Sequence, residues 1–242
     1  MPRFFSDQIF NDIITITGND AKHIYKVLRM NIGDVLTVCD LQGYDYKCVI
    51  KDMNVDKITL KIKQKIISCT DPSIKISLFQ GFPKSDKFDF ITQKSVEIGV
   101  NEIYPVMMKR CVPVIDEKNK NKKIERFNRI AFEAAKQSNR SKLPVVNNFV
   151  SYVEAINLLS KADLSLLFYE NSNASLKEVL NSLKVKTATI GVMIGPEGGF
   201  SEDEIEVAKL AGINIVSLGS RILRCETAPI FALSSLIFNF EL

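Results

Sequence analysis

Gly191–Leu210 reads GVMIGPEGGFSEDEIEVAKL, and its parts call for one arrangement. The apolar run that ends at Ile194 has the length of a buried strand. Gly195, Gly198 and Gly199 carry no Cβ, so backbone can come close to a ligand there, and Pro196 stiffens the turn. Ser201, followed three residues later by Glu204, is a capping box that opens a helix. Strand, bare loop and capped helix make the edge unit of an open parallel sheet, whose ligands sit beyond the C-terminal ends of its strands. The loop lacks both the Gly-Lys-Ser/Thr ending of a phosphate loop and the spacing of a dinucleotide fingerprint. Glu197, at its centre, suits a cation or a sugar hydroxyl better than a phosphate.

A second loop repeats the pattern. Ser217–Pro229, SLGSRILRCETAP, follows a strand and precedes a helix. It sets Arg221, Arg224 and Glu226 in an apolar stretch, with Ile222 and Leu223 as a floor for a flat ring. Part of it has a plainer reading. Thr227 can cap the last helix, Pro229 suits a first turn, and Glu226 favours the helix dipole.

Outward from these loops, residues 71–242 alternate strand and helix, from KISLFQG through SDKFDFITQKSVEIG (Ser85 as cap, Gly99 as stop) to TAPIFALSSLIFNF. That rhythm predicts an α/β domain with a parallel sheet covered by helices. Residues 1–70 read differently. DIITIT, GDVLTVCD, YDYKCVIKDM and DKITLKIKQK are short alternating strands, interrupted by one helix started by Asn19 or Asp20, and they predict a small β-barrel. IISCTDPS reads as the linker.

The totals exclude several classes. The chain has 242 residues, a net charge of +4, five scattered cysteines and one histidine. A zinc site is therefore not expected, and a reduced, cytoplasmic protein is. No apolar run is long enough to span a bilayer, and the N-terminus has no signal-peptide pattern. A charge of +4 permits a polyanionic partner without requiring one.

Taken together, IGPEGGFSEDE, SLGSRILRCETA and FEAAKQSNRSKLP resemble the uridine-N3 methyltransferases of small-subunit ribosomal RNA, in the SPOUT superfamily. HIYKVLRMNIGD resembles that family's N-terminal PUA-like barrel, so the resemblance spans nearly the whole chain. It implies a trefoil-knotted methyltransferase domain at 71–242 and a PUA-like RNA-binding barrel at 1–70. It implies S-adenosyl-L-methionine as cofactor, no metal, and a homodimer acting on 16S rRNA of the assembled small subunit. Cofactor contacts are then expected from Glu170, Ile194, Gly195, Pro196, Glu197, Gly198, Gly199, Leu218, Gly219, Arg221, Ile222, Leu223, Arg224 and Thr227. Arg224 and Glu226 are the catalytic candidates. Arg3, His23 and Arg29 resemble RNA-facing positions, and Arg126, Arg129, Lys136, Arg140 and Lys142 are expected to form a phosphate-following stripe.

Two positions depart from the family. Cys225 stands where a small residue or threonine is usual; methylation of a ring nitrogen needs no covalent attack on carbon, so it is read as packing. Lys136 stands where glutamate is frequent and is read as added RNA-facing charge. Three other readings remain open: a noncatalytic RNA-binding adaptor of the same fold, a ribose 2'-hydroxyl methyltransferase and, disfavoured by its missing motifs, a nucleotide hydrolase.

Overall fold

The protein is described from a computed structural model that covers residues 2–6, 8–113, 116–183 and 187–241. The chain divides into two compact units: Met1–Asp71 with Ala135–Leu143, and Pro72–Ala134 with Pro144–Leu242. The segment Ala135–Leu143, expected in the second domain, belongs to the first unit.

In the first unit, β1 (Arg3–Phe5), β2 (Ile9–Phe10) and β3 (Ile13–Thr17) lead into α1 (Gly18–Lys22), which runs on as one π-helical turn, His23–Val27. β4 (Val35–Cys39), β5 (Tyr44–Met53) and β6 (Lys57–Ile67) follow. The sheet order is β1-β4-β5-β6-β3-β2, antiparallel except for β1 beside β4. Alternate residues of β5 are buried, and two register shifts against β6 bend the long pair. The bend wraps the sheet on a core that includes Ile14, Ile24, Leu36, Val38, Ile50 and Leu60. The helix begins at Gly18 after an extended Thr17, one to two residues before the expected start.

Three basic residues expected to face RNA are used inside this unit. Arg140 is 3% exposed, and its guanidinium pairs with Asp71 at 2.8 Å. Asp71 also accepts from the amides of Ser141 and Lys142, at 2.9 Å each, and from the Ser141 hydroxyl. A buried guanidinium committed in this way cannot follow phosphates. Arg3 donates to Asp45 at 2.9 and 3.0 Å and to the carbonyls of Asn139 and Arg140, tying Ala135–Leu143 to β1 and β5. Lys136 donates to Asp20 at 2.8 and 3.0 Å, so its charge is spent on α1.

The second unit runs β7 (Lys75–Gly81), α2 (Lys87–Ile98), β8 (Glu102–Met107), α3 (Glu117–Gln137, its last turn in the first unit), β9 (Val145–Val146) and β10 (Val150–Ser151). It continues with α4 (Tyr152–Leu159), β11 (Leu164–Phe168), α5 (Leu176–Asn181), β12 (Thr189–Ile194), α6 (Glu202–Leu210), β13 (Asn214–Val216) and α7 (Thr227–Glu241). The sheet is parallel throughout, in the order β10-β8-β7-β12-β11-β13, with β9 beside β8. β11 is buried at every residue, as a strand covered on both faces must be. Phe79, Val106, Leu159, Leu167 and Met193 belong to the core. Ser151, Ser175 and Ser201 start α4, α5 and α6 with complete capping boxes. α2 starts after Asp86 rather than the expected Ser85, which adopts φ 56°. In this register Gln80 and Phe168 both pair with Ile194, and Phe168 also pairs with Val216, so four strands end side by side.

Candidate active site

The loops that leave those strand ends enclose a cleft of about 400 Å³. Gly195–Phe200 forms one wall and Ile222–Cys225 another, with Lys87, Phe168 and Glu170 between them. A hollow of about 90 Å³ shares Phe168, Glu170, Ile222 and Leu223 and adds Leu218, Gly219 and Arg221. The cofactor-contact residues expected from the sequence therefore come together, except Thr227, which opens α7.

The cleft is shaped by missing side chains. Gly199 has φ 65°, and a Cβ there would lie 3.2 Å from Glu170 Oε1. At Gly81 a Cβ would fall 2.5 Å from both Cδ and N of Pro196, so β7 and the glycine loop touch backbone to backbone. Gln80, fully buried, donates from Nε2 to the Gly195 carbonyl at 3.2 Å and steadies the same loop. Gly81→Ala should therefore displace the loop and cost roughly 1–3 kcal/mol, as overpacking does. A lowered melting temperature, with weaker ligand binding, is the expected measurement.

The second loop is poorly satisfied by its own chain. The amides of Leu218, Ile222 and Leu223 have no hydrogen-bond partner among the described residues. Unpaired amides beside an apolar floor suit the edge of a heteroaromatic ring, and Ile222, 87% exposed, offers it a face. This is the donor set that an adenosine-bearing cofactor needs. Arg221 and Arg224 are exposed and pair with no carboxylate among the described residues.

Glu226 is engaged elsewhere. Lys87 Nζ lies 3.3 Å from Glu226 and 3.0 Å from Glu197, and the Cys225 thiol lies 3.2 Å from Glu226. Partial burial works against the charge of Glu226, but its own amide, the Cys225 thiol and Lys87 outweigh it and hold the carboxyl below its ordinary range. Glu197 is likewise held down against burial, by its own amide, by Lys87 and by the Lys84 amide. Its expected cationic neighbour is thus a lysine of this chain. Burial first, then Glu226 and Glu197, push the Cys225 thiol up to about 12, which removes it as a nucleophile and leaves it as packing.

His23, Arg29, Arg129 and Lys142 are exposed, whereas Arg126 pairs with Asp89 and lies 3.7 Å from Asp86. The sequence reading missed Lys87, Gln80 and Gly81. One signal was available for Lys87, a cation at the first position of a helix, where the dipole disfavours it.

The parallel sheet and its cleft belong to the SPOUT class of methyltransferase fold, here with a PUA-like domain. The family model for the RNA methyltransferase domain matches residues 70–237, and that for the RNA methyltransferase PUA domain matches residues 16–63. Ribosomal RNA small subunit methyltransferase E of Bacillus subtilis is 34% identical, covering 94% of this chain and 91% of that protein. Its Mesomycoplasma hyopneumoniae counterpart is 32% identical, covering 98% and 99%. The crystal structure of the Neisseria gonorrhoeae enzyme of that name, bound to S-adenosyl methionine, aligns with a TM-score of 0.84 at 29% identity, covering 98% of this chain and 97% of that one. The chain belongs to the ribosomal RNA small subunit methyltransferase E family.

Proposed function

We propose that the protein transfers the methyl group of S-adenosyl-L-methionine to N3 of one uridine of 16S rRNA, position 1498 in standard numbering by family resemblance. The observation that carries this reading is the cleft itself. It combines bare glycine backbone with amides, and an exposed arginine side chain at its edge, that have no partner among the described residues. The cofactor supplies an electrophilic methyl carbon. The amides near Leu218, Ile222 and Leu223 hold its ring, and the glycine loop admits its methionine end.

Uridine N3 becomes nucleophilic only when it loses its proton. Arg224 stabilises the negative charge that then spreads over the uracil oxygens, as an opposite charge favours any ionised group. Glu226 is a poor proton acceptor because its depressed pKa makes it a weak base. Its part is to hold the arginine loop, and the N3 proton leaves to solvent. Exposed His23, Arg29, Arg129 and Lys142 supply contacts to RNA phosphates. The substrate is the assembled small subunit in the cytoplasm, where a splayed uridine is held by the shape around it.

Calorimetric titration tests the donor assignment. S-adenosyl-L-methionine is expected to bind at one site per chain and ATP not to bind; the reverse order would contradict the proposal.

The active form is a homodimer. α7 leaves Phe231 and Phe238 exposed, the latter by 72%, above a groove of about 310 Å³ shared with Leu176, Leu180 and Leu218. A helix apolar on more than one face needs a second partner, and the groove adjoins the donor loop at Leu218. Sedimentation at micromolar concentration should give twice the chain mass, and Phe238→Asp should give the single mass with reduced methylation. A fully active monomer would contradict this.

A further inference from the structure

We infer that Lys87 is a positioning residue whose ammonium ties the glycine loop to the arginine loop, through Glu197 and Glu226, and so sets the cleft for the methyl donor. The inference rests on the donor reading above and adds a residue that neither the family resemblance nor the sequence pattern pointed to.

Lys87 is the first residue of α2, where the positive end of the helix dipole repels a cation. It is held there by carboxylates from two separate loops, Glu197 at 3.0 Å and Glu226 at 3.3 Å, with Cys225 Sγ at 3.8 Å. The Lys84 amide secures Glu197 from the same side, at 3.2 and 3.3 Å. Each loop forms one wall of the cleft, and Lys87 lines it between them. Other ionisable groups face the cluster. The Cys111 and Cys225 thiols lie near Glu197, Glu170 and Arg224 line the same cleft, and Asp86 next to Lys87 approaches Arg126. Arg224, Arg110 against Gly198, and Lys84 are nearby cations, and none of their side chains pairs with Glu197 or Glu226 among the described residues.

The tie has a pH signature. In the native protein both carboxyls are held below their ordinary range, and the Glu197 hydrogen bond first, with Cys225 and Glu226, holds Lys87 above its own. The cluster therefore keeps one charge state between pH 5.5 and 8. Without the ammonium, two carboxylates face each other. One then takes up a proton as the pH falls, since like charges raise a carboxyl pKa.

The test is donor binding by calorimetry, for wild type and variants at pH 8.0 and 5.5, expressed as the variant-to-wild-type ratio at each pH. Lys87→Met is expected to bind S-adenosyl-L-methionine about tenfold more weakly at pH 8.0 and to regain most of that loss at pH 5.5. Lys87→Arg should bind nearly as wild type at both, and Lys87→Met/Glu226→Gln should recover binding at pH 8.0. An equal loss at both pH values would overturn the inference, as would a Lys87→Arg loss matching Lys87→Met. Wild-type affinity in Lys87→Met would do the same. If the wild type itself binds no donor, the cofactor reading fails instead. The tie is then read from melting temperatures, where Lys87→Met should be restored by Glu226→Gln at pH 8.0, and absence of that restoration overturns it.

Discussion

Arg224→Ala is expected to slow single-turnover methylation of small subunits by about a hundredfold to a thousandfold, while donor affinity stays near the native value. The side chain is exposed beside the cleft and pairs with no carboxylate among the described residues. Glu226, the neighbour that could have braced it, is taken by Lys87 and Cys225. A charge with no partner of its own is available to one that develops in the reaction, and only interactions stronger in the transition state accelerate the step. The variant's rate should also climb more steeply with pH than that of the wild type, because hydroxide then performs the deprotonation the cation no longer assists. Loss of donor affinity and of melting temperature together, with a normal rate at saturating donor, would make Arg224 a brace instead.

The second large effect is expected far from the cleft. Asp71→Ala removes the acceptor that holds the Arg140 guanidinium and the amides of Ser141 and Lys142. Both partners are nearly inaccessible, so the change takes a carboxylate away from a buried cation, which costs roughly 3–5 kcal/mol. Hydrogen exchange should show β5 and β6 losing protection while β11 and β12 keep theirs. Uniform loss across both units, or none, would contradict it. Burial raises the Asp71 carboxyl, but Ser141 and Arg140 outweigh it, and the folded pKa falls below the ordinary 3.8. The ion pair therefore contributes fully above 3.8 and is lost as the pH drops through the lowered value. Asp71→Asn should lack that acid limb.

The parallel sheet and both loops that line the cleft were legible because each depends on local pattern. Strand periodicity, the glycines at 195, 198 and 199, and the serine cap at 201 act within a few residues. What escaped depends on separation in the chain. Arg3 and Arg140 look like solvated, RNA-ready charges until Asp45 and Asp71 are brought to them by folding. Lys136 reads as surface charge because Asp20 lies 116 residues away. Lys87 shows in the sequence only as a cation in the first turn of a helix, SDKFDF, and its partners are two loops more than a hundred residues on. β1 and β2 have three and two residues, too few to show any period. The contact between Gly81 and Pro196 has no trace in either segment, since a glycine ending a strand is common.

The reaction itself is tested most directly on its product. Small ribosomal subunits lacking the modification are incubated with the protein and S-adenosyl-L-methionine, the 16S rRNA is digested to nucleosides, and these are separated and weighed by mass spectrometry. N3-methyluridine should appear, approaching one per subunit, and much less should form on naked rRNA of the same sequence. A methyl group on a ribose oxygen, or no methylated nucleoside above the no-enzyme control, would contradict the account.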